Sequence, residues 1–261
     1  MTDVEQEVEE RAAQRSIQSI EVGFRLIRVL ETAAAKLPLK ELAARAGMSP
    51  AKAHLYLVSF VRLGLVVQEA GTSRYGLGPY ALQLGQAALR QLDLVEAARP
   101  WLETLHARFE LPAYLAIWGN AGPFTVVKVD ADLTTPVAIK IGFVFPLLGT
   151  ATGRVFLAHL PASATDPLVA REKLVEPDLA ARRAEIVADV QAHGVAISEG
   201  RLFRGFSAIS APVFDHTGAI AAAVTALGVG ALIDRDPAGA LATDVRAAAG
   251  GISAALGYRP R

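Results

Sequence analysis

The chain of 261 residues contains no cysteine, which excludes disulfides and thiolate metal sites and suits a reducing compartment. Long apolar runs are missing too. Spanning a bilayer takes ~20 of them, and the nearest approach, GAIAAAVTALGVGALI, is short and broken by glycine. The opening MTDVEQEVEERAAQRS carries charge where an export signal carries an apolar stretch, so we expect a cytoplasmic address. Catalytic signatures are equally scarce. There is no GxSxG elbow, no Walker loop and no GxGxxG, and His54, His106, His159, His193 and His216 show no metal-ligand spacing. Asp130 and Asp132 stand at the end of a strand-like stretch, where a hydrated turn explains them more simply than acid–base work, and Asp234 and Asp236 beside Pro237 suit the approach to a helix. We therefore expect no enzyme, no metal and no cofactor.

What is present is apolar material and an uneven charge. Apolar residues make up 52% of the chain and charged residues 20%, ample for a packed core. Residues 1–10 hold five acids and no base, whereas residues 11–80 hold ten bases against four acids. A basic segment inside a chain of zero net charge suggests an anionic partner of its own.

Residues 1–15 read as a frayed acidic tail. In SIQSIEVGFRLIRVLETAAA, Ile17, Ile20, Phe24, Ile27 and Leu30 recur every three or four residues, the stripe of an amphipathic helix. LPLKELAARAG is a second, short helix with Gly47 just past its end. A third follows in MSPAKAHLYLVSFVRLG, with Ser49 as N-cap, Pro50 at the first helical position and Gly64 as the stop. LVVQEAGTSRYGLG then has the pattern of a β-hairpin.

At 100° per residue, Ala53, Leu57, Phe60 and Gly64 of the third helix fall within about 60° of one another and form its core side. Opposite lie Ala51, Leu55, Val58 and Arg62, with Lys52, His54 and Ser59 at the flanks and no acid anywhere on that side. A groove lined with phosphates requires such an absence, and Leu55 or Val58 can meet thymine methyls. Three helices and a hairpin make a winged helix-turn-helix that would put this helix into the major groove, using Ser49, Ala51, Lys52, His54, Leu55, Ser59 and Arg62, with Arg74 on the wing. The same apolar face also suits a protein-interaction module, so the pattern alone leaves both partners open.

Further along, PYALQLGQAALRQLDLVEAARPWLETLHARF is helical, with Pro100 as a new start inside it. AYLAIWG, FTVVKVDA and VAIKIG are candidate strands, DLAARRAEIVADVQAHG a helix, and VAISEGRLFRGFSAISAPVFDHTGAIAAAVTALG holds at least two strands turning at Asp215–Gly218. Strands cluster centrally with helices around them, which makes the class α+β. In LLGTATGRVF, two glycines bracket small residues before a helix start. This geometry serves an anion or a plain tight turn.

Taken together, SIEVGFRLIRVLE, LPLKELAARAGMSP, YGLGPYALQLG, FPLLGTATGRVFLAHLP and GFSAISAPVFDHTGAIAAAVTALG, in this order from about Ser16 to Tyr258, resemble the isocitrate-lyase-regulator (IclR) family of bacterial transcription regulators. The resemblance implies a winged helix-turn-helix at 16–79, a linker helix at 80–99 and an effector-binding domain at 100–258 with a GAF-like antiparallel sheet. It also implies double-stranded operator DNA as partner, homodimers or homotetramers, and a small carboxylic or aromatic acid as effector. Carried over by position, the effector residues are Thr150, Ala151, Thr152, Ser198, Ala208 and Thr225, with Trp118, Phe145, Phe156 and Phe203 as candidate aromatic lining. One departure stands out. Where the family commonly has arginine after the histidine of the recognition helix, this chain has Leu55, which keeps open a second reading: a sensor whose winged helix acts through protein contacts.

Overall fold

The computed structural model describes residues 17–91, 93–129, 139–200, 202–230 and 233–260. The acidic tail, Arg11, Arg15, Asp130 and Asp132 lie outside them. The chain divides into two compact units, one ending at Gln91 and the other beginning at Leu92.

The first unit begins with α1 (Gln18–Thr32), α2 (Leu39–Arg45) and α3 (Pro50–Arg62) and closes with the hairpin β1 (Val66–Gln68) and β2 (Tyr75–Leu77), followed by α4 (Pro79–Gln91). Each junction is chemically specified. Gly47 takes φ 67° after α2 and Gly64 takes φ 72° after α3, the left-handed conformation a helix stop favours. Ser49 Oγ accepts from the Lys52 N–H, with Pro50 in the first turn. The hairpin pairs Val66 with Leu77 and Gln68 with Tyr75, and Leu37 bridges to Tyr75 from the far side. Leu26, Leu42, Ala53 and Leu57 fill the core beneath.

The stripe on α1 differs from the expected one. Gly23, Leu26 and Leu30 are buried, whereas Ile17, Ile20 and Phe24 are exposed. The reason is the crossing with α3: a Cβ on Gly23 would lie 2.9 Å from Tyr56 Cδ1 and 3.2 Å from Phe60 Cζ. The least bulky residue thus sets the contact and turns the bulkier apolar ones outward.

The second unit opens with α5 (Leu94–Phe109). The helix starts after Asp93 and not at Pro100: Asp93 Oδ1 accepts from the N–H groups of Val95 and Glu96 at 2.9 and 3.2 Å, and Pro100 lies inside the helix. It sits on the exposed face, where water can serve the carbonyl that its missing N–H leaves. Strands β3 (Ala113–Gly119) and β4 (Gly122–Val129) follow. Then come α6 (Ala151–His159), α7 (Ala162–Glu172), α8 (Pro177–Ala181), α9 (Arg183–His193), β5 (Ala196–Glu199), β6 (Phe206–Phe214), β7 (Ile220–Val229) and α10 (Ala240–Ala255). The stretch expected as one helix from Asp178 is split at Arg182, and α7, which carries Pro167, has no clear period in the sequence. Of the expected strand at VAIKIG, residues 139–142 are irregular and turn-like. Gly142 has φ 83°, and the passage meets β4 through the backbone bonds Thr125 N to Phe143 O, Gly142 N to Thr125 O and Phe145 N to Pro123 O.

The sheet runs β4-β3-β7-β6-β5, every pair antiparallel. Alternation along the strands separates two faces. Leu115, Val224, Ile209 and Val213 pack under α5 and α10; Tyr114, Ala116, Ala223 and Ala208 face α6 and α9. The class is α+β with a helix-turn-helix before an antiparallel sheet.

Neighbouring glycines in α10 give a test of this packing. A Cβ on Gly250 meets nothing within 4 Å, whereas one on Gly251 would overlap the indole of Trp101. Gly250→Ala is expected to raise unfolding free energy by about 0.5–1 kcal/mol through helix propensity. Gly251→Ala is expected to lower it by about 1–3 kcal/mol through overpacking. Urea denaturation of both variants reads the opposite signs.

Candidate DNA-reading helix and effector cavity

On α3, Ala53 and Leu57 are fully buried, and Tyr56 and Phe60 are half-buried. Ala51, Lys52, His54, Leu55, Val58, Ser59 and Arg62 are exposed, as the wheel requires, together with Ser49. Leu55 is 71% exposed, so no packing within its unit accounts for it. Arg74 is also exposed but already engaged: its guanidinium donates to the Lys36 carbonyl at 3.1 Å. Beside it Lys36 pairs with Glu69 at 2.6 Å, and Lys36 and Thr72 hold the Glu69 carboxyl below its usual range. The wing's one acid is thus neutralised locally, which leaves α3 and the wing with a cationic surface.

In the second unit, the passage from Pro146 to Thr150 is gripped on several sides. Glu172, at the end of α7, accepts from the backbone N–H of Leu147 at 2.6 Å and of Leu148 at 2.8 Å. Arg154 donates to the carbonyls of Leu148 (2.8 Å) and Ile197 (2.7 Å). Thr150 Oγ1 accepts from Gly153 N at 2.9 Å and donates to Pro146 O at 2.6 Å, capping α6. Gly153 is obligatory: a Cβ there would sit 2.5 Å from Leu147 Cα. This close approach sinks the start of α6 into the protein, with Ala151, Thr152 and Gly153 all buried.

A cavity lies beside that start. Thr150, Ala151, Ser198 and Ala208 line it with Tyr114, Ile139, Phe145, Phe203, Phe206 and Leu227. Its floor is a ladder row, Leu227 opposite Ala208 and Ala208 opposite Ser198. The free space is about 30 Å³, one water's share of liquid volume. An outer cleft of about 330 Å³ shares Thr150 and Leu202 with it. Leu202 and Phe203 lie between Gly200 (φ 63°) and Gly205 (φ 80°).

Of the six expected effector residues, Thr150, Ala151, Ser198 and Ala208 meet the cavity, whereas Thr152 and Thr225 are fully buried behind it. These two are bonded to each other at 2.9 Å, Thr152 to the Tyr114 hydroxyl at 3.1 Å, and Thr225 to Ser210 Oγ at 2.8 Å; Ser210 in turn donates to Val224 O at 3.1 Å. Tyr114, Thr225 and Ser210 are ladder neighbours on successive strands, so the row crosses the sheet and Thr152 meets it from α6. Sequence reasoning missed Tyr114 and Ser210; the two hydroxyls appear inside apolar strands, and only strand pairing brings them together. Of the expected aromatics, Phe145 and Phe203 line the cavity, Phe145 stacking on Tyr114 at 5.2 Å, while Trp118 and Phe156 pack against each other at 5.7 Å away from its walls.

Residues 19–70 match the family model for the IclR helix-turn-helix domain and residues 86–254 the one for the C-terminal part of the bacterial transcriptional regulator IclR. The chain is 30% identical over 258 residues to the glycerol operon regulatory protein of Streptomyces griseus, covering 93% of this chain and 98% of the relative. It is 28% identical over 228 residues to the transcriptional regulator KipR of Bacillus subtilis, covering 85% and 90%. Among solved structures, Pseudomonas aeruginosa HmgR superposes with a TM-score of 0.86 at 35% identity, covering 94% of this chain and all of that one. The Agobacterium tumefaciens repressor BlcR, at 20% identity, covers 94% and 99% with a TM-score of 0.79 and so shares the fold.

Burial pushes the Tyr114 phenol up to about 12, partly offset by its bonds to Thr152 and Thr225. Because the folded value exceeds the unfolded one, the contribution is complete below about pH 10 and is lost as pH rises toward 12. Over that interval the wild-type protein is expected to lose up to about 3 kcal/mol more stability than Tyr114→Phe, read by urea denaturation at stepped pH.

Proposed function

The chain belongs to the IclR family of bacterial transcriptional regulators, and on that premise we propose that it reads a palindromic operator as a dimer or dimer of dimers, with its affinity set by a small carboxylic or aromatic acid. Regulation of transcription through DNA binding comes with the family. The finer reading rests chiefly on one observation: a capped, buried helix start opening onto a cavity walled by Phe145, Phe203 and Leu227. The N–H groups of Ala151 and Thr152 suit a carboxylate, and the apolar walls suit its body. Admission of an acid takes outward movement of Leu202 and Phe203, toward the outer cleft.

We assign DNA contact to Ser49, Ala51, Lys52, His54, Leu55, Ser59, Arg62 and Arg74, and effector contact to Thr150, Ala151, Ser198 and Ala208, with Thr152 and Thr225 as supports. The domain limits 16–79, 80–99 and 100–258 remain our assignment, with the linker transmitting effector binding to the paired winged helices. Exposed Ile17, Ile20 and Phe24 support self-association. No helix among the described residues is long and apolar enough to cross a membrane, and we place the protein in the cytoplasm as a regulator without catalytic activity.

Fluorescence anisotropy with duplex DNA from upstream of its own gene tests the reading. Affinity is expected to fall steeply with salt, and Lys52→Ala to weaken binding and reduce the salt slope by about one. Benzoate at millimolar concentration is expected to shift operator affinity. Salt-independent binding without sequence preference would remove the DNA reading and favour a protein partner at Leu55.

A further inference from the structure

The buried hydroxyl row has a direction, and that direction bears on what the cavity can recognise. Each hydroxyl has one proton to give. Ser210 donates to the Val224 carbonyl, which can only accept. Ser210 therefore has no proton left for Thr225, and Thr225 Oγ1 donates to it. With the Thr225 proton committed, the 2.9 Å bond between Thr152 and Thr225 has Thr152 as donor. With the Thr152 proton committed in turn, the 3.1 Å bond between Tyr114 and Thr152 has the tyrosine as donor. All four protons are thus committed within the row, and none is left for the cavity. Tyr114, which lines the cavity, keeps only acceptor capacity on its oxygen.

We propose that Tyr114 is a specificity-determining acceptor: the effector is an acid that also carries a hydrogen-bond donor, a hydroxyl or amine, and this donor binds the Tyr114 oxygen. The inference rests on the acid-binding reading of the cavity above. A carboxylate set against Tyr114 would face lone pair against lone pair. To offer it a proton, Tyr114 must give up its buried bond to Thr152, or the row must reverse at every link with Ser210 releasing Val224. The stacked Phe145 ring, 5.2 Å from the Tyr114 ring and 3° from parallel, fixes the phenol against swinging its oxygen elsewhere. A ligand thus lies with its carboxylate at the N–H groups of Ala151 and Thr152 and its donor at Tyr114. Acids lacking the donor, or with it capped by a methyl group, leave the tyrosine oxygen unserved.

Calorimetric titration of the full chain with benzoate, 3- and 4-hydroxybenzoate and their methoxy counterparts tests this. The better hydroxybenzoate is expected to bind the wild-type protein about tenfold more tightly than benzoate or either methoxy acid, the value of one buried hydrogen bond. Tyr114→Phe is expected to close that gap while leaving the benzoate Kd unchanged within about twofold. Thr152→Val, which frees the tyrosine proton to turn into the cavity, is expected to tighten benzoate and shrink the hydroxyl's advantage. Equal weakening of every acid by Tyr114→Phe would place the carboxylate at the tyrosine and overturn the proposal, as would a gap that survives the substitution. If none of the acids binds the wild-type protein, the acid-binding reading falls and this inference with it; if they bind without discrimination, this inference alone falls.

Discussion

A polar helix start set inside a hydrophobic core is the constraint on which the second unit is organised. Nearly all of α6 is buried, its first residues included. Orphan N–H groups at a helix N-terminus cost free energy when water cannot reach them, so something else must stand where water would. Thr150 serves one of them, and Glu172 serves the two N–H groups of the preceding turn. Glycine at 153 is required because that turn passes against the helix. The alanines of β6 and β7 belong to the same arrangement. Ala208 and Ala223 lower the sheet surface where α6 lies on it, and larger side chains there would lift the helix off its supports.

The first unit solves a different problem. Its α3 must contribute to a small core and still present a surface, and thirteen residues allow both because the two stripes do not overlap. Gly23 carries part of the cost. By letting α1 approach the rings of Tyr56 and Phe60, it brings more of α3 into the core than its own two fully buried residues supply. The exposed side stays free of acid, and the nearest acid on the wing is held by Lys36 and Thr72.

Much of this was legible in the chain itself. Ser49, Pro50 and the glycines at 47 and 64 are local signals, and local signals survive because the atoms they concern are close in sequence. Thr150 carries a local signal of the same kind, but positional analogy makes it an effector residue and not the cap of α6. The stripe of α1 was misread because periodicity shows which residues share a face and not which face a neighbouring helix selects; Gly23, with nothing to mark it as apolar, decided that. Pro100 misled for a related reason, since a single missing N–H on an exposed face is tolerated while Asp93 offers a stronger start seven residues earlier. Tyr114, Thr225 and Ser210 lie far apart in sequence, and their neighbourhood exists only in the strand order β3-β7-β6. No periodicity carries that information. The positional analogy found Thr225 but put it at the cavity wall, where it stands one layer behind.

The tether of Arg74 to the Lys36 carbonyl has one more consequence. A long cation on a surface ordinarily samples many rotamers, and forming a contact with a phosphate means giving most of them up, on the order of 1 kcal/mol of conformational entropy per side chain. Here that loss is incurred when the wing folds. Any anion that reaches Arg74 meets a guanidinium already in place, so the encounter is a rigid docking rather than a capture by a searching arm. Its rate is then governed by the approach of the anion and not by the wandering of the side chain.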